Sequence, residues 1–278
     1  MRAAEKAANL AQLCDFLYRK TGLVYGPNKA YFADRRLVQR MEATGYADFS
    51  AYYGRLMGDP AEVEALINAF TINETYFYRE KHQFQTLSAS LLPTIAASKQ
   101  PGDSIRIWSV PCSTGEEPYS IAIWLLEHWP LVDAYNIEIV GSDIDTDALE
   151  AAQAGLYGER ALSRLTADLR ARYLEQAGPE QWQIIQDLKE SVRFNNANLV
   201  DFSATAGEGR FEVVFCRNLL IYFDERARSL AMETIYQALA PGGFVCLGHT
   251  ESLGQVNERF IVCRFKEGVV YRKPVDAA

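Results

Sequence analysis

The sequence is poor in several things, and each shortage excludes a class of function. Histidine occurs three times, as His82, His128 and His249. The five cysteines, Cys14, Cys112, Cys216, Cys246 and Cys263, are widely spaced, odd in number and form no CxxC. A zinc site and a disulfide framework are therefore not expected. The sequence offers no obvious histidine to activate a cysteine, and Cys112, Cys216 and Cys246, in or beside apolar strands, read as inert, small buried residues. No apolar run approaches the ~20 residues that span a bilayer, and "MRAAEKAANLAQLCDFLYRK" has the pattern of an amphipathic helix, not of a secretory signal. A cytoplasmic protein is expected. Internal repeats and low-complexity segments are missing. So is an excess of base: the net charge is -8, which argues against nucleic acid as the main partner. The glycine fingerprint GxGxxG is absent too, which disfavours a dinucleotide.

What is present is ample core material. Of 278 residues 49% are hydrophobic and 23% charged, the balance of a soluble globular chain of one large or two modest domains. Residues 1–70 read as all-helical, because apolar residues recur at helical spacing: Leu10, Leu13, Phe16 and Leu17, then Leu37, Val38 and Met41, then Tyr52, Tyr53, Leu56 and Met57. From about residue 104 strands alternate with helices: "SIRIWSV", "PYSIAIWLLEHW", "YNIEIVGSDI", "TDALEAAQAG", "FEVVFCRN", "DERARSLAMETIYQALAPGG" and "GFVCLGH". That rhythm predicts a parallel, doubly wound α/β sheet. The tail "RFIVCRFKEGVVYRK" reads as an antiparallel hairpin at its edge. Residues 158–197 break the rhythm and are expected to form a small β insertion containing a helix at "TADLRARYLEQAG" and short strands at "WQIIQ" and "SVRFNN". The layout resembles class I (Rossmann-like) methyltransferases.

Ligands of such sheets bind beyond the carboxyl ends of the strands, so the polar residues there matter most. The first strand runs into "VPCSTGEEPYS", a turn that opens a helix. Glu116 and Glu117 either suit the helix dipole or welcome an ammonium or sulfonium; the residues leave both readings open. The second strand ends in "GSDID". Asp143 lies 28 positions after Gly115, in the neighbourhood of a ribose-binding acid, and Asp145 is expected to cap the next helix. The apolar strand "FEVVFC" ends in Arg217 and Asn218. A buried arginine is costly without a partner. Either a ligand carboxylate or an acid elsewhere in the chain must meet it.

Five ordered stretches carry a resemblance: "TINETYFYRE" at 71–80, "CSTGEEPYSIAI" at 112–123, "SDIDTDALEAAQAGLY" at 142–157, "FCRNLLIYFD" at 215–224 and "APGGFVCLGHTESL" at 240–253. Together they resemble the CheR-type chemotaxis receptor methyltransferases, over most of the chain. The resemblance implies transfer of methyl from S-adenosyl-L-methionine to receptor glutamates, giving methyl esters and S-adenosyl-L-homocysteine, with no metal. It implies a helical N-terminal domain, 1–70, and a methyltransferase domain, 71–278. The cofactor would be held by Asn73, Thr75 and Arg79, by Glu116 or Glu117, by Asp143, by Asn198 and Leu199 in "NNANL", and by Arg217 and Asn218. Arg79 and Tyr222 would lie nearest the transferred methyl. One departure is Val110-Pro111 where the family has small residues; Pro111 brings no N–H to the cofactor.

The implied partner is the cytoplasmic helical bundle of methyl-accepting receptors, met by a monomer at receptor arrays without membrane insertion. Between Tyr18 and Met41 stand Arg19, Lys20, Lys29, Arg35, Arg36 and Arg40 against Asp34 alone. On one helix Lys29, Arg36 and Arg40 would share a flank and dock the receptor; the plain alternative is a solvated face. Whether the β insertion also takes a tethering peptide is left open by "EQAGPEQWQIIQ". Two rivals stand beside this reading: a methyltransferase for a small molecule or RNA, and a non-catalytic sensor of the cofactor.

Overall fold

The computed structural model describes residues 3–26, 29–201, 209–252 and 259–275. Four helices open the chain: α1 (Ala3–Thr21), α2 (Ala30–Thr44), α3 (Phe49–Leu56) and α4 (Pro60–Phe70). Their limits follow from cap chemistry. Asp48 accepts the Ala51 N–H at 2.9 Å and Asp59 that of Ala61 at 3.1 Å, with Pro60 in the first helical position. Gly45 ends α2 in the left-handed conformation. Leu13, Phe16, Leu17, Leu37, Tyr52 and Leu56 form the expected core. Val38 and Met57, expected on the apolar stripe, are 43% and 63% exposed; each lies one residue past a buried leucine and turns outward.

The structure corrects one docking residue. Arg40 donates two hydrogen bonds to the Glu62 carboxylate, at 3.1 and 2.6 Å, and Tyr52 donates a third at 2.9 Å. Glu62 is 3% exposed. A carboxylate so deep needs its cation, and Arg40 therefore belongs to the interior of the helical domain, not to the flank shared with Lys29 and Arg36.

A helical stretch that sequence does not predict follows, α5 (His82–Thr86) and α6 (Leu92–Ala96), joined by a π turn at Leu87–Leu91. The π turn and Pro93 break its periodicity. Then come β1 (Ser104–Ser109), α7 (Glu116–His128), β2 (Asn136–Asp143), α8 (Thr146–Ala154), β3 (Leu156–Gly158), α9 (Ala167–Tyr173), β4 (Leu174–Gly178) and β5 (Gln181–Ile184). The chain closes with α10 (Gln186–Glu190), β6 (Val192–Asn196), β7 (Phe211–Cys216), α11 (Glu225–Ala238), β8 (Leu239–Leu247), β9 (Ile261–Arg264) and β10 (Val269–Arg272).

The main sheet has the order β6-β2-β1-β7-β8-β10-β9. Its first five strands are parallel, and β10 runs antiparallel to β8 and β9, the expected hairpin. β1 and β7 are buried on both faces, as parallel strands covered by helices must be. The insertion is shorter than expected. Its sheet, β3-β5-β4, lies within 156–184, whereas "SVRFNN" is β6 and extends the main sheet beside β2. "TADLRARYLEQAG" divides into α9 and β4, because Leu174 is extended. Leu253, the last residue of the fifth motif, lies outside the described residues.

The helical domain roofs the carboxyl ends of the strands. The Asn198 amide donates to the Lys20 carbonyl at 2.7 Å, Tyr18 to Asp224 at 2.9 Å, and the Val24 N–H to the Tyr222 carbonyl at 2.9 Å. No helix among the described residues is long and apolar enough to cross a membrane. Because Arg40 neutralises a buried carboxylate, Arg40→Ala should cost about 3 kcal/mol of stability. A urea midpoint equal to the parent's, with weakened receptor binding, would return Arg40 to the docking face.

Candidate active site

An open cleft lies between the roof and the strand ends. The loop after β1 forms one side. Its Val110–Pro111 peptide is cis, and the Cys112 N–H donates to the Ser142 carbonyl at 2.8 Å. Gly115 has φ +91, and a Cβ there would lie 2.9 Å from the Ala152 Cβ, so only glycine lets α7 start this close to α8. The two adjacent acids part company. Glu116 is buried, accepts from the Thr114 hydroxyl at 2.7 Å, and does not line the cleft. Its carboxyl is pushed up by burial. Glu117 lines the cleft, so of the two acids it is the one that could meet a bound group.

Asp143 ends β2 on the cleft wall. One carboxylate oxygen accepts the Ser113 N–H at 2.7 Å, the other that of Asp145 at 3.0 Å. Burial nevertheless pushes its pKa up to about 6, because these N–H donors only partly offset desolvation. Asp145 caps α8 by accepting the Ala148 N–H at 3.0 Å. Asn73 lines the cleft, yet its amide N–H₂ is held by Asp145 at 2.7 Å and its oxygen accepts from the Ser113 hydroxyl at 3.2 Å. Asn198 is likewise engaged with α1. Thr75 and Leu199 also line the cleft.

Arg217 meets acids of its own chain. Its guanidinium donates to Glu117 at 2.6 Å and to the Arg79 carbonyl at 2.6 Å, and stands 3.3 Å from Glu80. The open alternative from sequence is thus resolved towards an internal ion-pair network, on the wall of the cleft. Its Nε is buried without a hydrogen-bond partner among the described residues. Burial pushes the Glu117 carboxyl up despite Arg217 and Ser109, whereas at Glu80 burial is opposed by Arg217 and His249, which together hold the carboxyl low. Sequence reasoning missed Glu80, although it closes the first quoted motif.

The outer cleft brings together Arg79, Tyr222 and Lys29. Arg79 donates to the Glu74 carbonyl. The Lys29 Nζ lies 4.0 Å from the centroid of the Tyr222 ring, a cation–π contact. Lys29, expected on a docking flank with Arg36, also lines the cleft, and burial lowers its pKa. Burial raises the Tyr222 phenol, against the opposing pull of Arg79.

These residues fit S-adenosylmethionine. Asp143 offers a carboxylate for a ribose diol, Glu117 a carboxylate for a cationic group, and Val110, Ile144 and Leu199 apolar walls for a base. Only the ionised Asp143 can accept from both ribose hydroxyls with charge assistance. With the folded pKa raised, the carboxyl protonates as the pH falls through about 6 and that charge-assisted acceptance is lost. Affinity for S-adenosylhomocysteine should therefore fall below pH 6, by up to 10-fold per pH unit. Asp143→Asn should weaken binding and flatten that dependence in calorimetry. In the ligand-free protein the sign is opposite for stability: the fold binds this proton more tightly than the unfolded chain, so the contribution declines as pH rises from about 4 to 6.

Comparison with known proteins agrees with this geometry. The model of the CheR methyltransferase all-alpha domain matches residues 8–71, and that of the CheR methyltransferase SAM binding domain matches residues 73–269. Chemotaxis protein methyltransferase 2 of Vibrio cholerae serotype O1 is 44% identical over 262 residues, 94% of this chain and 91% of that protein. The chemotaxis protein methyltransferase of Klebsiella aerogenes is 37% identical, covering 91% and 86% of the two chains. Chemotaxis protein methyltransferase 1 of Pseudomonas aeruginosa is 32% identical, covering 92% and 94%. With both domain models matched in order, and a cleft whose acids suit a nucleoside and a cation, the chain belongs to the CheR family of chemotaxis methyltransferases.

Proposed function

We propose that this methyltransferase esterifies glutamate side chains of chemoreceptors, in the cytoplasm at receptor arrays, and acts as a monomer. The supporting observation is the grouping of Arg79, Lys29 and the Tyr222 phenol at the outer cleft, beyond Asp143 and Glu117. The bound cofactor supplies an electrophilic methyl on a sulfonium, and a glutamate carboxylate, ionised near pH 7, needs no base to accept it. The chain's part is to aim that carboxylate. Arg79 and Lys29 offer it cations, and the Tyr222 hydroxyl can donate a hydrogen bond that fixes its direction. A division into a helical unit, 1–70, that meets the receptor and a catalytic unit, 71–278, follows from this reading. Arg36, stacked 5.2 Å over Phe32, and Lys29 remain as basic docking groups for an acidic helical bundle.

Tyr222→Phe removes one hydrogen bond and keeps the ring. If that bond tightens in the transition state, kcat should fall about 10-fold or more while the Kd for S-adenosylhomocysteine stays put. Arg79→Ala should lose more, since it removes a charge. Base-labile methanol release from receptor membranes measures both, and a parent that releases no methanol from them contradicts the proposed substrate. Arg36→Glu should raise KM for receptor with cofactor affinity unaltered, an effect screened above physiological salt; an unchanged KM makes Arg36 a solvated side chain only.

A further inference from the structure

β7 and β8 pair in parallel, with Cys216 opposite Leu247, so the loops that leave them run side by side. The first carries Asn218 and Tyr222. The second carries "GHTE", and from it Glu251 turns back towards the first. One oxygen of its carboxylate accepts the N–H of Gly248 at 2.8 Å and that of Asn218 at 2.8 Å; the other accepts the N–H of Ile221 at 3.2 Å. Three backbone donors from two loops thus converge on one anion. Two further features fit this arrangement. Asn218 has φ +59, a left-handed conformation that needs outside support in a residue with a Cβ. Gly248 has room for nothing larger: a Cβ there would lie 2.7 Å from the Glu251 carboxylate oxygen and 3.0 Å from the Asn218 amide nitrogen.

We propose that Glu251 is a positioning residue for the transfer reaction: its carboxylate pins the loop after β7 so that the Tyr222 hydroxyl is presented to the reacting carboxylate. Glu251 does not line the cleft, whereas Asn218, Leu219 and Tyr222 do, so it acts through the backbone it holds. The bond to Ile221 is the critical one. It fixes the Leu220–Ile221 peptide, one residue ahead of Tyr222, inside the one-turn 3-10 helix Leu220–Tyr222. The inference rests on the reading of Tyr222 as the residue that aims the substrate.

The charge matters as well as the shape. A glutamine in place of Glu251 has one acceptor oxygen and one NH₂ group. Its least costly orientation keeps the oxygen on Gly248 and Asn218 and turns the NH₂ against the Ile221 N–H, which frees the segment next to Tyr222. Glu251→Gln should therefore lower kcat on receptor about 10-fold, with the Kd for S-adenosylhomocysteine within about 3-fold of the parent. In a Tyr222→Phe background the same substitution should cost less than about 2-fold, because the group it positions is already gone. A merely structural role would multiply the two losses in full, and that result overturns the proposal. A second readout needs no methyl acceptor. With fluorotyrosine at position 222 and S-adenosylhomocysteine bound, the 19F resonance should shift or broaden in Glu251→Gln, and an unmoved resonance contradicts the pin. A shifted resonance in a protein whose parent fails to methylate receptor keeps the pin and removes the substrate reading instead. If Glu251→Gln does not fold, Glu251→Asp keeps the charge, shortens its reach and is read by the same resonance.

Discussion

The cleft is organised around one buried cation. Arg217, with a side chain 3% exposed, stands between Glu117 and Glu80. Taking a guanidinium out of water costs several kcal/mol unless its partners are close and well aimed. Here the pairing also joins three distant pieces of chain: the end of β7, the first turn of α7, and the turn at Arg79–Glu80, whose carbonyl Arg217 holds at 2.6 Å. That turn has positive φ at Tyr78 and Glu80, and the arginine contacts help to hold it there. Without Arg217, two partly buried carboxylates would face each other and the segment carrying Arg79 would lose its anchor.

From that anchor the division of labour follows. Asp143 and the Arg217-paired Glu117 line one part of the cleft, where a cationic cofactor would belong, and Arg79, Lys29 and the Tyr222 phenol, with Glu74 near them, line another, where an anionic side chain would arrive. The roof connects the two. The α1–α2 connection lies against the loop after β7 through the Val24–Tyr222 hydrogen bond and an antiparallel bridge between Leu23 and Phe223, which brings Lys29 over the Tyr222 ring. The helical domain is thus part of the cleft wall.

The fold was largely legible because its signals are local. Alternating apolar strands and capped helices identify the doubly wound sheet, and "RFIVCRFKEGVVYRK" identifies the hairpin. The polar strand ends located the cleft, since topology places them together. Partnerships were not legible, because they are made across the chain. Nothing near Arg217 announces Glu117, 100 positions away, and helical spacing alone cannot tell that Arg40 turns inward to Glu62 while Arg36 does not. Lys29 illustrates the same limit: charge pattern places it on a basic stretch, and only tertiary structure places it over Tyr222. Likewise "SVRFNN" reads equally well as an insertion strand or as a sheet edge until Asp143 and Asn196 are found in register.

The account's central claim is that inner acids hold the nucleoside and a cationic group while Arg79 and Tyr222 face the methyl position. A crystal structure of the protein with S-adenosylhomocysteine tests it most directly. The account predicts the ribose hydroxyls on the Asp143 carboxylate, the amino group towards Glu117, and the sulfur facing the Arg79–Tyr222 side of the cleft. A ligand whose ribose lies away from Asp143, or whose sulfur points away from Tyr222, would contradict it.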